Sequence, residues 1–73
     1  MIKTVTYRTI TIKSDPSPQR EEGWKPVVTI YWGTGGSLTM QNLSASTMYK
    51  TEEEAHIQGI KYAERIIDER TAG

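Results

Sequence analysis

The segment Tyr49-Lys50-Thr51-Glu52-Glu53-Glu54-Ala55 constrains this chain more than any other, because it opens the one strongly periodic helix. Thr51 and Glu54 stand three residues apart, the spacing of a capping box. In that arrangement the threonine hydroxyl and the glutamate side chain each satisfy a backbone N–H that the first helical turn leaves without a partner. Three consecutive glutamates also sit where the positive end of the helix dipole favours negative charge. A helix therefore begins here, and the chain before it must fold against it.

The spacing predicts a C-terminal amphipathic helix over residues 51–70, running from about Glu52 to Arg70. Ala55, Gly59, Tyr62, Ala63 and Ile66 fall on one side at a period of 3.6, with Ile60 and Ile67 on the flank. The small residues Ala55, Gly59 and Ala63 let that side lie close to a sheet. Gly59 costs about 1 kcal/mol of helix propensity relative to alanine, which close packing can offset. Lys61, Glu64, Arg65, Asp68 and Glu69 form the solvated side. Ile57 is an apolar residue inside that polar arc.

Upstream, the sequence reads as strands. Residues 2–13 are rich in Ile, Thr, Val and Tyr. Val5 and Tyr7 share one parity and Ile10 and Ile12 the other, so a bulge near Arg8-Thr9 is expected to exchange faces. Residues 14–23 carry two prolines and a glycine among polar residues and read as a flexible loop. A second strand runs from Trp24 to Trp32. Trp24, Val28, Ile30 and Trp32 share one face of it, and Val27 and Tyr31 share the other with Lys25 and Thr29. Gly33-Thr34-Gly35-Gly36 gives a tight reversal. Leu38, Met40 and then Ala45 or Met48 suggest a third strand, expected to break or bend near residues 42–46.

The chain has 73 residues, no cysteine and a formal net charge of zero. It is read as one small domain, residues 1–73, near the lower size limit for folding without metal or disulfides. The start lacks the apolar run of a signal peptide, and no window approaches the roughly 20 apolar residues of a membrane span. We expect a soluble cytoplasmic protein that does not engage a membrane. Lys3, Arg8 and Lys13 make the first strand basic, whereas acids outnumber bases in the helix.

No constellation carries catalytic chemistry. His56 lies one turn from Glu52 and Glu53, but a catalytic zinc normally needs three protein ligands in set geometry, and the acids already serve the helix start. His56 is read as structural or solvated. Glu52, Glu53 and Glu54 occupy a solvent-facing turn and not a cleft that raises one pKa. The glycine-rich segment at 33–36 precedes a strand and lacks the Gly-Lys-Ser/Thr of a phosphate loop. Neither enzyme activity, a cofactor nor a metal is expected. Trp24, Tyr31 and Trp32, with Lys3, Arg8, Lys13, Arg20 and Lys25, suggest a nucleic-acid alternative, because aromatics on a sheet can stack on bases. The neutral charge balance weighs against it.

Residues 26–70, with the Tyr49–Ala55 helix entrance followed by Gly59, Ala63 and Ile66-Ile67-Asp68, resemble small bacterial and phage β-β-β-α modules. HicB-type antitoxins share part of that pattern. The shape is also similar to the sheet and last helix of double-stranded-RNA-binding domains, although Glu52–Glu54 stand where those domains are basic. The resemblance implies the fold and no functional residue.

The expected architecture is α+β: a three-stranded antiparallel β-meander followed by one C-terminal helix packed on one sheet face. A single helix covers one face only, and a core this small contributes little net stability. The expected function is a non-enzymatic protein–protein interaction module that self-associates or binds another protein through Val27, Tyr31, Ile57 and Ile60. A nucleic-acid-associated or antitoxin-like regulator is the alternative.

Overall fold

In the computed structural model, which describes residues 1–20, 23–34 and 37–71, the first apolar segment is two strands and not one. Strands β1 (Lys3–Tyr7) and β2 (Ile10–Ser14) pair antiparallel, with Tyr7 opposite Ile10 and Val5 opposite Ile12. Arg8 and Thr9 reverse the chain at φ of 50° and 66°. Two successive left-handed residues match the right-handed twist of the flanking strands. The expected bulge is thus replaced by a hairpin turn. A two-residue reversal brings Tyr7 and Ile10 to the same face, which accounts for the change of parity.

The expected flexible loop at 14–23 is also corrected. Strand β3 (Ser17–Gln19) pairs antiparallel with β4 (Gly23–Lys25) as a second, two-stranded sheet. Ser14 pairs with Val28 in one sheet and Ser17 with Lys25 in the other, so the register is the same on both sides of the break. That register sets Pro16 opposite Pro26, and both are buried. Two facing rings without N–H groups interrupt a ladder that otherwise continues, because proline fixes φ and restricts the residue before it. The prolines therefore bend one long hairpin where a flexible loop was expected. Its far end is held by a backbone pair: the Trp24 N–H donates to the Tyr49 carbonyl at 2.7 Å, and the Tyr49 N–H returns to Trp24 at 2.9 Å. At Gly23 (φ 107°) a Cβ would lie 2.2 Å from the Tyr49 carbonyl oxygen, so glycine permits this approach.

Pro26 also divides the expected Trp24–Trp32 strand, whose second part is β5 (Val27–Thr34). Strand β6 (Ser37–Ser44) pairs with β5 over its full length, and it ends inside the window 42–46 where a break was expected, with a bend at Ser46. Gly35 and Gly36 of the expected reversal lie outside the described residues. The main sheet has the order β1-β2-β5-β6, every neighbour antiparallel. The architecture is α+β with one C-terminal helix, but its six described strands in two sheets replace the expected three-stranded meander.

Helix α1 spans Glu52–Thr71. The Thr51 hydroxyl accepts a hydrogen bond from the Glu54 N–H at 3.1 Å, as its N-cap position requires. Ala55, Gly59, Ala63 and Ile67, spaced by four, are buried, and Ala63 and Ile67 cluster with Ile12, Val28 and Ile30. Ile60 and Ile66 are half-buried at the margins. Tyr62, expected on the core side, is 40 % exposed: the buried stripe centres between Gly59 and Ala63 and leaves it at the rim. A Cβ on Gly59 would meet Val28 Cγ1 at 3.0 Å and Pro26 Cβ at 3.3 Å, so the helix backbone approaches the sheet there.

Replacing Gly59 by leucine is expected to destabilise the fold by about 1–3 kcal/mol through overpacking. Gln58→Ala, on the exposed side, should stay within about 0.5 kcal/mol of the original. Urea denaturation followed by far-UV circular dichroism reads both values, and equal midpoints would show that helix and sheet are not in close contact at Gly59.

Candidate interaction surface

On the helix-covered side, polar groups at the helix end are taken up within the molecule. The Tyr7 hydroxyl donates to Asp68 Oδ1 at 2.9 Å, and Arg8 Nε lies 2.8 Å from the same oxygen. Trp32 Nε1 donates to Gln41 Oε1 at 2.9 Å, and the Arg70 guanidinium carbon lies 4.8 Å from the centre of a Trp32 ring, a cation–π arrangement. Both tryptophans are half-buried.

His56 is 5 % exposed, and its Nδ1 lies 2.8 Å from Ser14 Oγ, itself fully buried. This pair joins the helix to β2 across the core, which supports the structural role for His56 over the solvated one. Ser14 faces the imidazole and not solvent. Beside the pair, Met1, Ile2, Lys3, Glu52, Glu53 and His56 line an open hollow of about 240 Å³. There the N-terminal ammonium bonds to the Glu52 carboxylate and holds it below the usual carboxylate range. Among the described residues no three His, Asp or Glu side chains gather as a metal site, and no helix is long and apolar enough to cross a membrane.

The other face of the main sheet lies away from the helix. Across it the register aligns Thr4, Lys13, Thr29 and Asn42 in one row, and Thr6, Thr11, Tyr31 and Met40 in the next. Thr29 donates to Asn42 Oδ1 at 2.8 Å. Leu38, beside Met40 on this face, packs over Gly33. Leu38 and Met40 are 68 % and 63 % exposed, so with half-buried Tyr31 they make an apolar strip at one border of a threonine-rich surface.

The residues proposed from sequence therefore fall on two sides of the molecule. Val27 and Tyr31 lie on the uncovered face, both half-buried. Ile57 is 44 % exposed on the helix, while Ile60 already packs against the core. The structure does not gather the four into one patch. Sequence reasoning named Leu38 and Met40 only as strand residues and missed their exposure. A signal for that region exists, since none of the nine Lys and Arg or nine Asp and Glu lies between Pro26 and Tyr49. The whole β5–β6 hairpin is free of charge.

No family model matches the chain, and neither the curated proteins nor the solved structures include a match to it.

Ser14→Ala should cost about 1–3 kcal/mol, because it leaves the buried imidazole nitrogen without its partner. Chemical denaturation measures it. An unchanged midpoint would mean that water or a shifted side chain replaces the hydroxyl without loss.

Proposed function

We propose that this chain is a non-enzymatic protein–protein interaction module that meets its partner, a second copy or another protein, through the uncovered sheet face. The observation that carries the reading is the strip of half-buried Tyr31 with exposed Met40 and Leu38, apolar surface in a segment without charge, with Val27 on the same face beyond the Thr29–Asn42 row. Interface centres are depleted of charge and enriched in tyrosine and methionine, with polar residues around them. The rows of threonine and Asn42 supply such a rim. Ile57 is a separate apolar position on the opposite side, available for a second contact.

Two of the groups that the nucleic-acid alternative draws on are already engaged. Trp32 is held by Gln41 and Arg70, and Arg8 by Asp68. Base stacking needs an open ring face, and phosphate contacts need available cations.

Affinity capture of the tagged chain from host lysate, with and without nuclease, separates the readings. A stoichiometric protein should survive nuclease and fall at least about tenfold with Tyr31→Glu, a loss of about 1.4 kcal/mol. Ile57→Glu should change recovery less. Recovery that vanishes with nuclease would overturn the module in favour of the nucleic-acid reading. Loss with Ile57→Glu alone would move the contact to the helix.

A further inference from the structure

The two edges of the main sheet are unlike. Strand β1 is five residues long, opens with Lys3 and is followed directly by Arg8, whose side chain binds Asp68. Short length and charge are the usual means by which an edge is kept from pairing. Strand β6, at the other edge, is eight residues long and has neither a charge nor a proline.

The phase of the β6 backbone is set by one bond. The Ala45 N–H donates to the Pro26 carbonyl at 3.1 Å. In an antiparallel ladder hydrogen-bonded pairs alternate with non-bonded ones. The bonded pairs along β5–β6 are therefore Val28 with Leu43, Ile30 with Gln41 and Trp32 with Thr39. The N–H and C=O groups of Leu38, Met40, Asn42 and Ser44 then point away from β5 into the open edge. Among the described residues none of these groups has a backbone or side-chain partner. Leu38 and Met40, the apolar residues most exposed within the sheet, lie at the same positions.

We propose that this edge takes a second copy of the chain, β6 against β6, antiparallel about a two-fold axis. A two-fold places every residue opposite a copy of its own strand, so charged residues would bring like charges together. An uncharged strand escapes that repulsion. It also offers nothing to recruit a charged foreign strand. The backbone phase admits a register centred on Met40, which pairs Met40 with Met40 and Leu38 with Asn42 of the second copy, on both sides of the axis. Three bonded pairs give about six N–H···O=C bonds. The result is one sheet of twice the width, in which the Tyr31–Met40 strips of both copies lie side by side. The inference deepens the interaction-module reading and rests on it: the double sheet presents a larger version of the same face.

Sedimentation velocity over a concentration series tests it. The unmodified chain should pass from one to two chains per particle, with the weak, concentration-dependent association of a small interface. Met40→Pro removes an N–H that β5 does not use, and proline is tolerated on an edge when that group faces solvent. It should hold the protein at one chain per particle. Met40→Lys, which opposes the lysines of the two copies across the seam without a backbone change, should weaken association at least about tenfold. Helix signal and melting temperature report that each variant is folded, and Thr6→Lys on the same face but on β1, at the far edge of the sheet, should associate as the original does. One chain per particle at every concentration would overturn the proposal, and so would association unchanged by both edge variants. Nuclease-resistant capture lost with Tyr31→Glu, from a chain that stays monomeric, would retire the seam while leaving the interaction module standing. Failure of that capture retires the module itself.

Discussion

Helix α1 can lie on this sheet only because side chains are nearly absent along its central stripe. Gly59 rests over Pro26 and Val28 with no space for a methyl group at ordinary contact distance, and Ala55 and Ala63 extend the approach in both directions. The close contact lets Ile67 reach Ile12 and Ile30 and brings His56 within hydrogen-bond distance of Ser14. In a chain of 73 residues the core is a handful of aliphatic side chains, so tight packing must offset what volume does not supply. Glycine in a helix is a loss taken by itself, and here the contact it permits sets the spacing of the two layers.

That arrangement concentrates polar and charged partners on one side. The helix end gathers Tyr7, Arg8, Asp68, Trp32 and Arg70 into mutual contacts, and the helix start is satisfied by Thr51. The other side of the sheet keeps threonines, Lys13, an asparagine and a few large apolar side chains, and among the described residues its outer strand keeps backbone groups without partners. Parity along β5 produces the contrast: even residues enter the core and odd residues leave it. A one-residue shift of register would exchange the two sets.

Much of this fold is legible in the sequence. The capped helix, its small-residue stripe, the inward Val28 and Ile30 and the outward Val27 and Tyr31 are all given by spacing. The rest depends on geometry that local patterns leave open. Arg8 and Thr9 are poor turn residues by propensity, since threonine rarely adopts positive φ, so a reversal there reads as a bulge. Pro16, Pro18 and Gly23 signal a loop in isolation, whereas Pro16 facing Pro26 turns the same residues into a bend within a hairpin. Tyr62 sits at the rim because each four-residue step along Ala55, Gly59, Ala63 and Ile67 carries the stripe about 40° further round a helix of 3.6 residues per turn, away from Tyr62. The exposure of Leu38 and Met40 depends on which strand is outermost, and that is decided by long-range pairing. The uncharged run from Pro26 to Tyr49 is plain in the sequence, but it acquires meaning only once that run is known to border the sheet.

The backbone pair between Trp24 and Tyr49 sets where the helix begins. Tyr49 is tied to the bent hairpin, and Ala45 is tied to Pro26, so the chain is anchored on both sides of Ser46, Thr47 and Met48. These three residues bridge two fixed points and carry no part of the core. The helix is thus indexed to the sheet by a strand that precedes it by some 25 residues in sequence, and not by the connection that leads into it. A connection relieved of that duty can lengthen without displacing the helix, since added loop length costs little entropy. In a lineage of such chains, this is where insertions can accumulate while both layers keep their alignment.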